Sequence, residues 1–346
     1  MRFGLGPFSG EAGGRVGPTE AYEIMGDAVQ RAENLGFDSA WVTERYFSPD
    51  GYTPSAFVAA ANLAARTESI RIGAMSILGL DHPLYFAEEA ATLDNLSGGR
   101  AIVVPINAVA HELKAYSIPE SEYAERFRES LEVLLKAWSA RPFHHQGSFW
   151  TIPAQLEGHT ENLSGLVNVT PKPVQFELPL WIGGFWAEGR SIAAELGLPM
   201  VVGAIANPDE LGGIWSTYEQ NTRRAVRAPR VIVRDVYLSN GPNPLDECGA
   251  MFAVQFERYN RWGLWTGDAT DVAKLAKDRL IYGNPDQVIA QIKALDDEHE
   301  LDHLICRMHF PGMPLSQLFA SMNLFAREVI PEFKMPDLPS QIRNGV

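Results

Sequence analysis

Cysteine is nearly absent: Cys248 and Cys306 are the only two in 346 residues, far apart and in no metal-type spacing. That excludes a disulfide-stapled scaffold and a cysteine-built zinc module, and it leads us to expect a reducing compartment, the cytoplasm. Positive charge is also in deficit, with 29 Lys and Arg against 43 Asp and Glu and a net charge of −14. A chain so acidic, with no local basic patch, repels phosphate backbones and anionic bilayers, so neither nucleic acid nor membrane is expected as a partner. No apolar run approaches the roughly 20 residues of a membrane span. Met1 to Gly6 enters a strand-like run at once, without the basic and apolar regions of a secretory leader. Also missing are low-complexity tracts, Ser/Gly-rich linkers and any short-period repeat. One domain over residues 1–346 is the expectation.

What is present is material for a large core, with 46% hydrophobic and 21% charged residues. Strand-like and helix-like segments alternate from the start. Phe3 to Leu5 reads as a buried strand, and Thr19 as the N-cap of a helix whose face carries Ile24, Ala28, Ala32 and Leu35 and which ends at Gly36. Strands follow at Ser39–Thr43, Ile70–Leu78 and Ala101–Ile106, with helices at Ser55–Arg66, Pro83–Leu93 and Glu122–Trp138. A first insertion, about 141–178, breaks the pattern and has room for a hairpin. Four more strands are read at Leu180–Gly183, Met200–Ala204, Val231–Leu238 and Leu304–Met308, with a second insertion at about 239–280. Helices are read near Ser191–Leu196, Pro208–Val226, Pro285–Leu295 and Pro314–Val329. Eight strands each followed by a helix predict an α/β fold, the (β/α)₈ TIM barrel with insertion segments.

Four stretches are similar to the bacterial luciferase-like flavin-dependent monooxygenases. They are Trp41 to Phe47; His82-Pro83 with Leu93 to Arg100; Gly283 to Val288; and Phe310 to Pro314 with Leu324 to Pro331. The resemblance spans nearly the whole chain in the family's order. It implies an oxidoreductase that uses reduced FMN, supplied by a separate flavin reductase, and O₂ on a small-molecule substrate. Two alternatives stay open: hydride transfer with the deazaflavin coenzyme, or a barrel that has lost its cofactor and serves as a binding or non-redox protein. Catalytic groups of a barrel converge at the C-terminal strand ends. Read that way, Glu44, Arg45 and Tyr46 are the catalytic candidates, while Met75, Ser76, Asn107, Gly183, Gly184, Phe185, Trp186 and Arg190 would hold the cofactor.

Arg45 and Tyr46 stand where relatives usually carry histidines, and Phe185-Trp186 where small hydroxyl residues commonly hold the flavin phosphate. Arg190 and the N–H groups of the helix near Ser191 could take that phosphate instead. A guanidinium cannot serve as a general base near neutral pH, so Arg45 is read as an anion grip or as one half of an ion pair. Glu44 is read as a buried base or as the partner of a nearby Arg. The resemblance further implies a cis Met75–Ser76 peptide, and a homodimer through the second and third helices, where Ala59-Ala60-Ala61 and Ala64-Ala65 permit close approach.

Other motifs receive plainer readings. Ser97-Gly98-Gly99-Arg100 is a structural turn between helix and strand. His299-Glu300-Leu301-Asp302-His303 fits the zinc pattern H-E-x-x-H, but a helix ends and a strand begins within it, so a solvated loop without metal is expected. Gly4 to Gly10 hints at a dinucleotide fingerprint without its helix, and reads as a barrel loop. His144-His145 is read as a surface turn. The aromatic stretch with Phe252, Phe256, Arg261, Trp262 and Trp265 divides evenly between helix packing and a lid over the mouth.

Overall fold

Apolar runs such as Ala101 to Ile106 are buried along their whole length, the pattern of parallel strands covered on both faces. The structure, a computed structural model, describes residues 1–9, 17–153 and 165–333. In chain order the elements begin β1 (Arg2–Phe8), α1 (Pro18–Leu35), β2 (Ser39–Thr43), α2 (Ala56–Ala65), β3 (Arg71–Ile77), α3 (Pro83–Leu96), β4 (Ala101–Ile106), α4 (Ala110–Ala115) and α5 (Glu120–Ala137). The first insertion carries β5 (His145–Gln146) and β6 (Thr151–Ile152), an antiparallel hairpin as expected. Then come β7 (Ile182–Gly183), α6 (Ala187–Leu196), β8 (Met200–Val202), α7 (Pro208–Asn221) and β9 (Val231–Leu238). The second insertion holds α8 (Pro244–Arg261) and α9 (Val272–Arg279), followed by β10 (Leu280–Gly283), α10 (Pro285–His299) and β11 (His303–Arg307). The chain closes with α11 (Leu315–Leu324), a π-helical stretch at Phe325–Val329 and α12 (Ile330–Phe333).

Eight parallel strands run in the order β4-β3-β2-β1-β11-β9-β8-β7. A bridge between Val103 and Leu180 brings the two ends of that series together, so the barrel is nearly closed. Its lower interior is filled by Trp41, which stacks on Trp181 at 5.7 Å and donates its indole N–H to Ser39 Oγ at 2.7 Å. Glycines on the flanking strands make room for that ring: a Cβ at Gly73 would lie 2.0 Å from it, and one at Gly4 2.6 Å.

Several expectations are corrected. β1 runs on to Phe8, so Gly4 to Phe8 is strand rather than loop, while Gly10 lies outside the described residues. Thr19 lies inside α1, whose N-cap position is Gly17 with Pro18 at the first turn. β10 is a ninth strand, paired with Asp235 to Leu238 of β9, that sequence reasoning missed because its apolar run, Leu280 to Tyr282, is only three residues long. The Met75–Ser76 peptide is not cis. β3 pairs with β4 without interruption through Met75↔Val104, Ser76↔Pro105 and Ile77↔Ile106, and nothing in so regular a ladder offsets the about 3–4 kcal/mol of a non-proline cis bond.

The glycine turn behaves as expected. Ser97 caps α3, and Gly98 and Gly99 take φ values of 64° and 82°. Arg100 then reaches back to the carbonyls of Ala64, Thr67 and Ile70, which fastens the α2–β3 connection.

Candidate functional site

Glu44 follows β2 and is buried. Its Oε1 accepts from Ile77 N at 2.7 Å, Ser76 Oγ at 2.9 Å and Tyr46 OH at 3.2 Å; its Oε2 accepts from Ala56 N at 2.5 Å. Burial pushes its pKa up to about 7 against those four donors. The expected arginine partner is not there: the carboxylate pins the ends of β2 and β3 to the start of α2. Glu44, Tyr46 and Ser76 together line a side cavity of about 350 Å³ with Asp81 and Tyr116.

Arg45, one residue on, points elsewhere. Its Nη1 donates to Asn107 O at 2.7 Å and lies 3.7 Å from Glu112 Oε2. The ion pair is thus with Glu112, not Glu44, and Arg45 also lines a cavity of about 60 Å³ at the barrel mouth with Thr43, Met75, Phe185, Tyr259 and Arg307. The expected catalytic trio is split, because successive residues leaving a strand face opposite ways.

The cofactor candidates divide similarly. Gly184, Phe185 and Arg190 line a groove of about 900 Å³ between α6, α7 and the α8–α9 connection. Met75 and Phe185 reach the mouth cavity. Asn107 is buried and lends its carbonyl to Arg45; its amide donates to Ala108 O at 3.1 Å, and its Oδ1 has no partner. Gly183 supports the Phe185 ring, which a Cβ there would approach to 3.2 Å. Trp186 turns away from the mouth and packs on Tyr123 and Phe127, at centroid distances of 5.7 and 5.5 Å, over the space that Gly189 leaves open.

Of the mouth's further groups, sequence reasoning missed Asp235 and Tyr259, whereas Arg307 stands at a strand end, where the sequence places it. Arg307 at the end of β11 binds Asp235 of β9 through both carboxylate oxygens, and its Nη1 donates to Tyr259 OH. Burial alone would weaken the Arg307 charge; the Asp235 carboxylate outweighs it and holds the guanidinium above its ordinary range. The signal was present, since an Asp inside the apolar run Val231–Leu238 needs a partner. Tyr52 meets Trp262 edge to face at 5.2 Å, and Arg258, bonded to Asp50 at 2.7 Å, lies over both rings. Phe252 and Phe256 are fully buried, so the aromatic stretch serves both roles: packing at those two, a roof at Trp262 and Trp265.

The paired-histidine motifs are also placed. His299 ends α10 and His303 begins β11; both are buried, which corrects the solvated-loop expectation, and His303 pairs with Ser39 Oγ at 2.9 Å. No group of three metal-ligating side chains occurs among the described residues. His145, expected on a surface turn, is buried between Glu129 and Lys136 at 3.0 and 2.9 Å, while His144 is exposed.

Comparison with known proteins gives this geometry a family. The model of luciferase-like monooxygenases matches residues 1–298. The uncharacterised protein y4wF of Sinorhizobium fredii is 32% identical over 38% of this chain, a stretch that spans 40% of that protein. The alkanal monooxygenase alpha chain of Aliivibrio fischeri is 21% identical over 92% of this chain and 96% of its own. Among solved structures, the oxygenating constituent of 3,6-diketocamphane monooxygenase from Pseudomonas putida, in complex with FMN, superposes with a TM-score of 0.78 at 21% identity, covering 97% of this chain and 99% of that one. The coenzyme F420-dependent tetrahydromethanopterin reductase of Methanopyrus kandleri reaches 0.70 at 19% identity, covering 96% and 99%. The chain belongs to the luciferase-like monooxygenase family of oxidoreductases.

Proposed function

We propose that the chain oxygenates a small organic substrate with reduced FMN and O₂. The observation that carries this reading is that the groove and the mouth cavity share walls, namely Phe185, Gly203, Ile205 and Leu264. A polar chamber and an aromatic-roofed chamber therefore adjoin across one wall, the polarity pattern of a ligand with a phosphate at one end and a flat ring at the other. At the polar end, α6 begins without a side-chain cap and carries Arg190 in its first turns, so backbone N–H groups and a guanidinium suit a phosphate. The relative solved with FMN supports the same cofactor here.

Bound there, reduced FMN would supply the electrons that O₂ needs. The chain's own part is to bind, orient and exclude water. Trp262, Tyr52 and Tyr259 wall the mouth, and Arg45 offers hydrogen-bond donors to a polar group of the substrate. Glu44 is committed to four internal donors and lines the side cavity instead, so it positions the ends of β2 and β3 and removes no substrate proton.

Two partners and a location belong to this reading. The glycine-rich run that hints at a nucleotide fingerprint is strand from Gly4 to Phe8, which offers no helix N-terminus to a dinucleotide, so reduced flavin would come from a separate reductase. Two buried free cysteines fit the cytoplasm, and among the described residues no helix is long and apolar enough to cross a membrane. The deazaflavin coenzyme is the second reading, supported by the F420-dependent relative. Titration of the purified chain with each cofactor separates them. FMN binding with O₂ uptake supports the first; deazaflavin binding without O₂ uptake supports the second; binding of neither leaves a barrel that has lost its cofactor.

A further inference from the structure

The mouth cavity is too small for the ring that the proposed function requires. At about 60 Å³ it holds about two waters, and even one benzene ring fills a cavity of roughly 150 Å³. The groove beside it is about 900 Å³. Phe185, Gly203, Ile205 and Leu264 line both, and Phe185 has the largest side chain of the four. The Phe185 ring lies over two glycines, Gly203 directly after β8, where a Cβ would come within 2.7 Å of Cδ1, and Gly183 of β7, where it would come within 3.2 Å of Cε2. Any other residue at position 203 would collide with the ring where it stands.

The same side chain is half-buried and lines the groove as well as the mouth. Its seat is two glycines, which add no side chains of their own, and the ring borders both chambers. A turn about χ1 toward the groove moves a side chain between staggered rotamers and leaves the backbone in place.

We propose that Phe185 is a gate. With its ring over Gly183 and Gly203 the mouth and groove are separate chambers; with the ring turned into the groove they become one cleft that admits a flat tricyclic cofactor. This inference rests on the flavin-type reading and adds to it the residue that sets entry. It implies that the cofactor binds only the open fraction of molecules, so the apparent dissociation constant is raised by the inverse of that fraction.

The test is flavin fluorescence quenching, at equilibrium and by stopped flow, with FMN and with riboflavin, which has the ring and no phosphate. Wild type, Phe185→Ala, Phe185→Leu and Phe185→Trp are compared, with thermal unfolding as the fold control. The expected result for Phe185→Ala is a dissociation constant about tenfold lower for both ligands, with faster association, if the open fraction is about one tenth. Phe185→Leu should fall between, and Phe185→Trp should bind more slowly than wild type. Inorganic phosphate, competing only at the Arg190 end, should be indifferent to all three changes. Equal or weaker binding in folded Phe185→Ala and Phe185→Leu, with wild type binding FMN, overturns the gate and leaves the flavin reading standing. If no variant binds either flavin, the flavin reading fails and the gate falls with it.

Discussion

Arg307 and Asp235 stand directly opposite one another in the ladder between β11 and β9, and their side chains close a two-bond fork of 2.5 and 2.7 Å inside the barrel mouth. Asp235 is fully buried. Removing one partner leaves the other charge desolvated and alone, which typically costs about 3–5 kcal/mol. Asp235→Asn should therefore lose stability of that order in denaturant unfolding. Asp235→Leu with Arg307→Met should recover most of it; a double variant as unstable as the single one would show that the pair has a role beyond mutual compensation.

Arg45 has a smaller stake in stability. Glu112 already accepts from Tyr46 N at 2.7 Å and Val109 N at 2.8 Å, so Arg45→Ala strips it of a cation but not of its hydrogen bonds. The expected loss is roughly 1–3 kcal/mol, with Arg45→Lys milder because the charge survives. If Arg45 also holds ligand, both variants should bind a small anion such as formate more weakly than wild type. Unchanged affinity in both, with lowered stability, assigns Arg45 to structure.

The pH dependence of stability should carry the mark of Glu44. Its folded-state pKa of about 7 stands above the ordinary 4.5, so the folded chain holds a proton that the unfolded chain has released. Stability from this group is full below about 4.5 and declines as pH rises through 7, by roughly 3 kcal/mol in all. Glu44→Gln should flatten that decline while lowering the baseline, because an amide cannot accept from all four donors. A wild-type profile no steeper than that of Glu44→Gln between pH 5 and 8 counts against it.

Glu129 should show the opposite sign. It accepts from the backbone N–H groups of Ser148, Phe149 and Trp150 at 2.9, 3.0 and 2.8 Å and bonds His145, clasping the β5–β6 hairpin to α5. Burial alone would raise its pKa, but these bonds outweigh it and hold the carboxyl below its ordinary range. Its contribution is present above the ordinary value and is lost as pH falls through the folded one. Glu129→Ala at pH 7 should speed proteolytic cutting in the hairpin about tenfold, the consequence of roughly 1.4 kcal/mol, and wild type should approach that rate on acidification.

A homodimer over α2 and α3 is the last expectation. Of the alanines assigned to it, Ala59, Ala60 and Ala64 are buried in the chain's own core, while Ala61 is half-buried and Ala65 exposed. The exposed large apolar side chains on these helices are Val58, Tyr85 and Leu96. Light scattering at micromolar concentration should give twice the monomer mass, and Val58→Glu should halve it. A monomeric wild type sinks the proposal.

The sequence by itself determined the barrel, because its information is local. Buried strands such as Ala101–Ile106 are continuous apolar runs, and the helices between them open at prolines and close at glycines such as Gly36. The π-helical stretch at Phe325–Val329 and the short β10 carried no comparable pattern. Tertiary structure alone decided the site. A residue's place at a strand end says that it nears the mouth, not which way it faces, and so Glu44 and Arg45, adjacent in sequence, came to serve different cavities. Pairings such as Arg307 with Asp235 join residues 72 positions apart, and the seat of Phe185 needs two glycines from different strands to meet. Such meetings depend on how the barrel closes, and closure is a property of the whole ring of strands that no local stretch of sequence encodes.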